Sequence, residues 1–163
     1  MAGKTVIIGI GNPLLKDEGV GIHAVRELRE KALPAGVEVL DGGTAGIGLL
    51  DFFPGARKVI FVDAAEMNLS PGTVVRFTAG EIRSQPGKAK FSAHEVGLLE
   101  VLEIAGALGQ SPSEVVIIGV QPKEISWGTD LTPEVHGSLP RVIEMVLKEV
   151  KPSFTPATAT GRN

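Results

Sequence analysis

The sequence predicts an α/β fold built on a mixed, mostly parallel sheet of five strands. Three observations carry that prediction. Short β-branched runs alternate with longer segments of helical period, the pattern of parallel strands joined by crossover helices. The first run, Thr5-Val-Ile-Ile-Gly-Ile10, is apolar at successive positions, as a strand buried on both faces must be. The chain of 163 residues fits one domain able to bury a self-sufficient core. Residues 1–151 are assigned to that domain, and the Thr/Ala/Pro-rich segment 152–163 to a disordered tail, too poor in apolar surface to order itself.

The elements follow in order. After the first strand comes a glycine-rich turn. A helix then starts near Asp17, with Ile22, Val25, Leu28 and Ala32 forming its apolar stripe, and it ends at Pro34 and Gly36. Val37 to Leu40 reads as the second strand. Asp41-Gly-Gly-Thr44 is a turn into a short helix over 47–53, which Pro54-Gly55 stops. The third strand, Lys58 to Val62, delivers Asp63 at its carboxyl end, where open α/β sheets build their sites. About nine residues separate Asp63 from the fourth strand, Thr73 to Thr78. That is too few for a crossover helix, so this strand is expected to run antiparallel. Gly80 to Lys90 is polar, is interrupted by Pro86-Gly87 and reads as a mobile surface loop. A third helix carries Leu98, Val101, Leu102, Ala105 and Leu108 on one face. Glu114 to Val120 is the fifth strand, and a last helix presents Leu139, Val142, Ile143, Val146 and Val150, with Ser138 and Pro140 marking a fresh start or a kink.

Composition narrows the chemistry. The absence of cysteine removes disulfides, a thiol nucleophile and zinc-thiolate sites, so any metal must be held by oxygen and imidazole. A formal charge of −3 with scattered Lys and Arg gives no basic stripe for nucleic acid. The longest apolar runs have strand length, which argues against membrane insertion, and a cytoplasmic location is expected.

Gly9-Ile-Gly11, after a strand and before a helix, is half of a dinucleotide fingerprint, with Asp41 in place to imitate the ribose-binding acid. Leu14 stands where the third glycine belongs, and Asp17-Glu18 would compete with a pyrophosphate for the helix N-terminus. Nucleotide binding is therefore the weaker reading. Asp17 is explained as a cap and dipole partner of its own helix. Glu18 has the same plain explanation, but a strand order of 2-1-3 would make it flank, with Asp63, a topological switch point. Ser92-Ala-His94-Glu95 has the form of a capping box, placing His94 in a helical first turn where an imidazole stays neutral and free to bind a metal. His23 reads as solvent-facing and His136 as a turn residue. Glu18, Asp63 and His94 are thus the candidate metal ligands, expected to be partly exposed in a cleft, while Asp41 either orients substrate or simply bonds its own turn.

Taken together, Gly9-Ile-Gly-Asn-Pro-Leu-Leu-Lys-Asp-Glu-Gly-Val-Gly21, Asp41-Gly-Gly-Thr44, Val62-Asp-Ala64, the His94 segment and Gly119-Val-Gln-Pro122 with Trp127-Gly128 resemble the nickel-iron hydrogenase maturation endopeptidases, from Thr5 to about Val150. The resemblance implies a three-layer α/β/α sandwich. It also implies a peptidase that trims the C-terminal extension of the hydrogenase large-subunit precursor after nickel insertion. Glu18, Asp63 and His94 would contact nickel that the substrate brings, and other divalent metals could substitute. A nucleotide-binding enzyme and a nickel-binding accessory module without catalysis are the alternatives.

Overall fold

The computed structural model describes residues 3–91 and 97–151. Strand β1 (Lys4–Ile10) leads through a 3-10 turn (Lys16–Gly19) into helix α1 (Val20–Arg29). Strand β2 (Val37–Gly43), a second 3-10 turn (Gly46–Phe52), β3 (Ala56–Glu66) and β4 (Val74–Thr78) come next. They are followed by helix α2 (Ala79–Ser84), β5 (Lys90–Phe91), α3 (Leu98–Ala107), β6 (Glu114–Val120), α4 (Pro133–His136) and α5 (Leu139–Val150).

The sheet runs β2-β1-β3-β6-β4, with β5 beside the end of β3. β1, β2, β3 and β6 are mutually parallel where they pair, β4 is antiparallel to β6, and β5 is antiparallel to β3. The expected 2-1-3 order and the antiparallel fourth strand are both present. Strand alternation splits the core into two layers of side chains. On one face Ile7, Ile60, Val62 and Ile118 meet α1, α4 and α5. On the other, Val6, Ile8, Val59, Phe61 and Ile117 meet the second 3-10 turn, α2 and α3. The molecule is a three-layer α/β/α sandwich.

Four local expectations need correction. The sheet has six strands, not five, because Lys90 and Phe91 pair with Glu66 and Ala65; two residues are too short a run to show alternation. The segment read as a loop from Gly80 contains α2. Thr78 caps it by accepting from the Glu81 N–H at 3.2 Å, and Ile82 anchors it in the core. Thr78-Ala-Gly-Glu81 has the sequence form of a capping box, ahead of the Pro86-Gly87 breaker downstream. Leu108 is exposed, because α3 ends at Ala107 and leaves Leu108 past the last turn that faces the sheet. Asp63 lies inside β3 and not at its end: β5 and β6 go on pairing the strand through Glu66. The segment 152–163, expected to be a tail, lies outside the described residues.

Candidate active site

The glycines after β1 bring backbone against backbone. Gly11 has φ +134°, and a Cβ there would run into the Glu18 carbonyl. A Cβ on Gly9 would overlap the Gly21 carbonyl; one on Gly21 would overlap the Val62 carbonyl and lie 2.5 Å from that of Ile10. The space a phosphate would need at Gly11 is filled by this chain's own peptide. The spacing that suggested half a nucleotide fingerprint instead seats α1 on β1 and β3.

That contact sets the segment carrying Glu18 against the part of β3 that carries Asp63. Gly21, three residues after Glu18, rests on Val62, and Asp63 is the next residue along β3. Both carboxylates are buried, Glu18 at 7% and Asp63 at 1% relative exposure, contrary to the partly exposed cleft residues expected. Alternation puts Asp63 on the α3 side of the sheet with Val59 and Phe61, opposite Gly119 of β6. A Cβ on Gly119 would lie 3.0 Å from Ala65 Cβ and 3.4 Å from the Phe91 ring, so a glycine there lets Ala65, Phe77 and Phe91 pack closely over β6.

His94 and its capping box lie outside the described residues. The flanks are described: Phe91 is paired to Ala65, two residues past Asp63, and Gly97 caps α3. Phe91, Gly97, Leu98 and Ile82 line one groove of about 270 Å³ on that face. Among the described residues, no three His, Asp or Glu side chains are grouped to hold a metal.

Asp17 does not do what its position suggested. Neither helix at this point receives a side-chain cap, and the Asp17 carboxylate is fully buried, turned toward residues 121–132. Its Oδ2 accepts from the N–H groups of Lys123 (2.9 Å) and Glu124 (3.0 Å), while Oδ1 accepts from the N–H of Thr132 (2.8 Å); the Thr132 hydroxyl donates to Oδ2 at 2.8 Å. Thr132 is the N-cap of α4, so Asp17 organises the start of a helix far along the chain. Further stitches join the same segments. Lys16 N–H donates to Gly128 O, Gly128 N–H donates to Leu14 O, and Lys16 pairs with Glu124 at 2.7 Å. Gln121, buried at the end of β6, accepts from Met67 N–H and donates to Glu66, fixing the turn after β3. Sequence reasoning gave Asp17 a local role and Thr132 none, because the partners that hold them lie more than 100 residues apart in the chain.

Asp41 is exposed and accepts from the Gly43 N–H at 2.9 Å, the turn bond that was its plain reading. His23, read as solvent-facing, is half-buried against the same 121–132 loop. Its Nε2 is buried with no hydrogen-bond partner among the described residues. Burial, and the Arg26 charge after it, lower its pKa, partly opposed by a hydrogen bond to the Thr129 backbone. His136 ends α4 instead of lying in a turn.

The family model described as hydrogenase maturation protease matches residues 22–149. The chain belongs to the hydrogenase maturation protease family. Membership makes it a protease, a hydrolase of peptide bonds. It is 37% identical over 150 residues to the hydrogenase expression/formation protein HupD of Rhodobacter capsulatus, covering 91% of this chain and 71% of that one. It is 33% identical over 152 residues to the hydrogenase 2 maturation protease of Escherichia coli, covering 92% of each. The solved structure of the hydrogenase maturating endopeptidase HybD from E. coli superposes with a TM-score of 0.81 at 33% identity, covering 90% of this protease and 91% of that chain. No described helix of the protease is long and apolar enough to cross a membrane.

Proposed function

We propose that this protease removes the C-terminal extension from the precursor of the nickel-iron hydrogenase large subunit once nickel has been inserted, and that Glu18, Asp63 and His94 recognise the nickel. The observation that carries the reading is the burial of two carboxylates, 45 residues apart in number, on backbone segments that meet where Gly21 abuts Val62. Carboxylate oxygens suit a divalent cation, and an imidazole at His94 would complete three ligands, leaving positions open on a metal that arrives with the substrate. Such a metal would polarise the scissile carbonyl or lower the pKa of water. The chain's own work is to hold the two carboxylates dry and fixed, and Asp41, exposed at the rim of β2, is assigned to orienting the substrate. A donor set of two carboxylates and one imidazole, without thiolate, is expected to hold free nickel weakly. We place the event in the cytoplasm.

The test mixes the protease with nickel-loaded precursor and reads the precursor's mass. Loss of the extension with wild type, and its retention with Glu18→Gln, Asp63→Asn or His94→Ala variants that still fold, is the expected result. An uncut precursor would sink the peptidase reading and favour an accessory role in nickel handling; retention of activity by all three variants would sink the site.

A further inference from the structure

Three of the large apolar side chains left in solvent share one rim. Leu14 is 52% exposed, Ile125 54% and Trp127, the sole tryptophan of the chain, 79%. They are neighbours because Leu15 bridges to Gly128 and the Gly128 N–H donates to Leu14 O at 2.9 Å. The rim is also built to stay in place. Asp17 holds Lys123, Glu124 and Thr132, and the Asp17 N–H donates to Glu124 O. Glu18 is the next residue after that anchor.

We propose that this rim docks an apolar stretch of the protein substrate next to the peptide bond to be cut. The proposal rests on the reading of Glu18 and Asp63 as the reaction centre. Three features favour a substrate protein over other occupants. The rim is continuous in backbone with Glu18, since Asp17, the residue before it, holds Lys123, Glu124 and Thr132. The charges around it are already matched to one another, Lys16 with Glu124 and Lys123 with Glu134, so the face offers apolar contact and no net field for an anionic polymer. Its extent is small. An aromatic side chain buries about 150–250 Å², and one tryptophan with two aliphatic neighbours falls short of the roughly 1,000 Å² that a specific self-association needs. A transient encounter with a substrate needs less. Exposed tryptophan on a rigid backbone is also the side chain most often found at the energetic centre of such contacts.

The experiment immobilises the protease and measures the dissociation constant of nickel-loaded large-subunit precursor by interferometry, with cleavage followed in parallel by mass. The proteins are wild type, Trp127→Ser, Ile125→Ser and the control Leu108→Ser, whose exposed side chain lies past the end of α3 near the amino ends of the strands. The Trp127 variant is expected to bind at least tenfold more weakly. The Ile125 variant should weaken binding by a smaller factor and the control should leave it unchanged, with thermal melts alike. Cleavage by the rim variants should recover at saturating precursor, a KM effect that a disturbed reaction centre would not give. Wild-type affinity in Trp127→Ser overturns the proposal. So does a wild-type dimer that this variant dissociates without loss of precursor affinity, which would assign the rim to a second copy. A wild type that binds precursor but leaves it uncut would refute the peptidase reading while the affinities still decide the rim. A wild type that neither binds nor cuts refutes both.

Discussion

Replacing Asp17 by alanine removes one carboxylate and orphans three backbone N–H groups and a hydroxyl at once. The Thr132 N–H and hydroxyl belong to a buried residue, whereas Lys123 and Glu124 are exposed and their amides have partial access to water. An unsatisfied buried donor costs about 1–3 kcal/mol. Taking the Thr132 N–H near the top of that range and its hydroxyl and the two loop amides near the bottom gives about 5–6 kcal/mol. For a chain of this length each kcal/mol lowers Tm by about 2–4 °C, so a drop of roughly 10–24 °C is expected. Asp17→Asn keeps the volume but turns an NH₂ toward N–H donors, and should cost about 2–4 kcal/mol. Thr132→Val, which deletes only the hydroxyl, should cost about 1–2 kcal/mol. Urea unfolding followed by circular dichroism is the assay. Fluorescence is a poor probe, because Trp127 is already in water in the folded state. Since Asp17 and Thr132 share a bond, the double variant Asp17→Ala/Thr132→Val should lose less than the sum of the singles. A cost for Asp17→Ala below about 1 kcal/mol, or strict additivity of the pair, would show that the 121–132 loop is held by something else.

Gly21→Ala should abolish cleavage and lower stability by more than about 3 kcal/mol, because the added methyl cannot share space with the Val62 and Ile10 carbonyls; a soluble, active variant melting near wild type would contradict the contact that joins Glu18 to Asp63. Glu149 sits among Lys58 at 2.8 Å and Arg76. Burial raises its pKa, but the hydrogen bonds from Arg76 and Lys58 outweigh burial and hold the carboxyl below its ordinary range. A carboxyl with a depressed folded pKa contributes stability above its unfolded value near 4.5, lost as pH falls through the folded one. Melting curves from pH 6 to 3 should therefore fall steeply for wild type and less so for Glu149→Gln. His23 behaves as a base whose neutral form suits the fold, since burial lowers its pKa from 6.5. Its contribution is complete above pH 6.5 and is lost as pH drops through the lowered value, so His23→Leu should flatten the part of the Tm profile just below pH 6.5. An unchanged slope there would mean that His23 has more access to water than its buried Nε2 indicates.

Most of the architecture could be read from local pattern. The strands announce themselves as β-branched runs, α1, α3 and α5 as apolar stripes, and the short link after β3 dictates the antiparallel β4. All of these are signals carried within one or two turns of chain. α2 was missed because a short helix has too few positions to show a period, and Pro86-Gly87 downstream reads as loop. The candidate site was legible in part. Glu18 and Asp63 were picked out by their expected places beside the switch point of a 2-1-3 sheet; the structure has that order, and Asp63 lies inside β3 and not at its end. Their burial was not legible, since it depends on how closely α1 settles on β3, and that is decided by whether Gly21 meets a carbonyl or a side chain.

Sequence alone, then, determined where most of the strands and the longer helices lie, that the fourth strand runs antiparallel, and which acids deserved suspicion. Tertiary structure decided what those acids do. Asp17 looked like the cap of its own helix and instead bonds Thr132, 115 positions away, to begin another. A carboxylate's preference for N–H donors is fixed by its chemistry. Which donors it finds depends on the fold, because only packing brings the 121–132 loop within 3 Å of it.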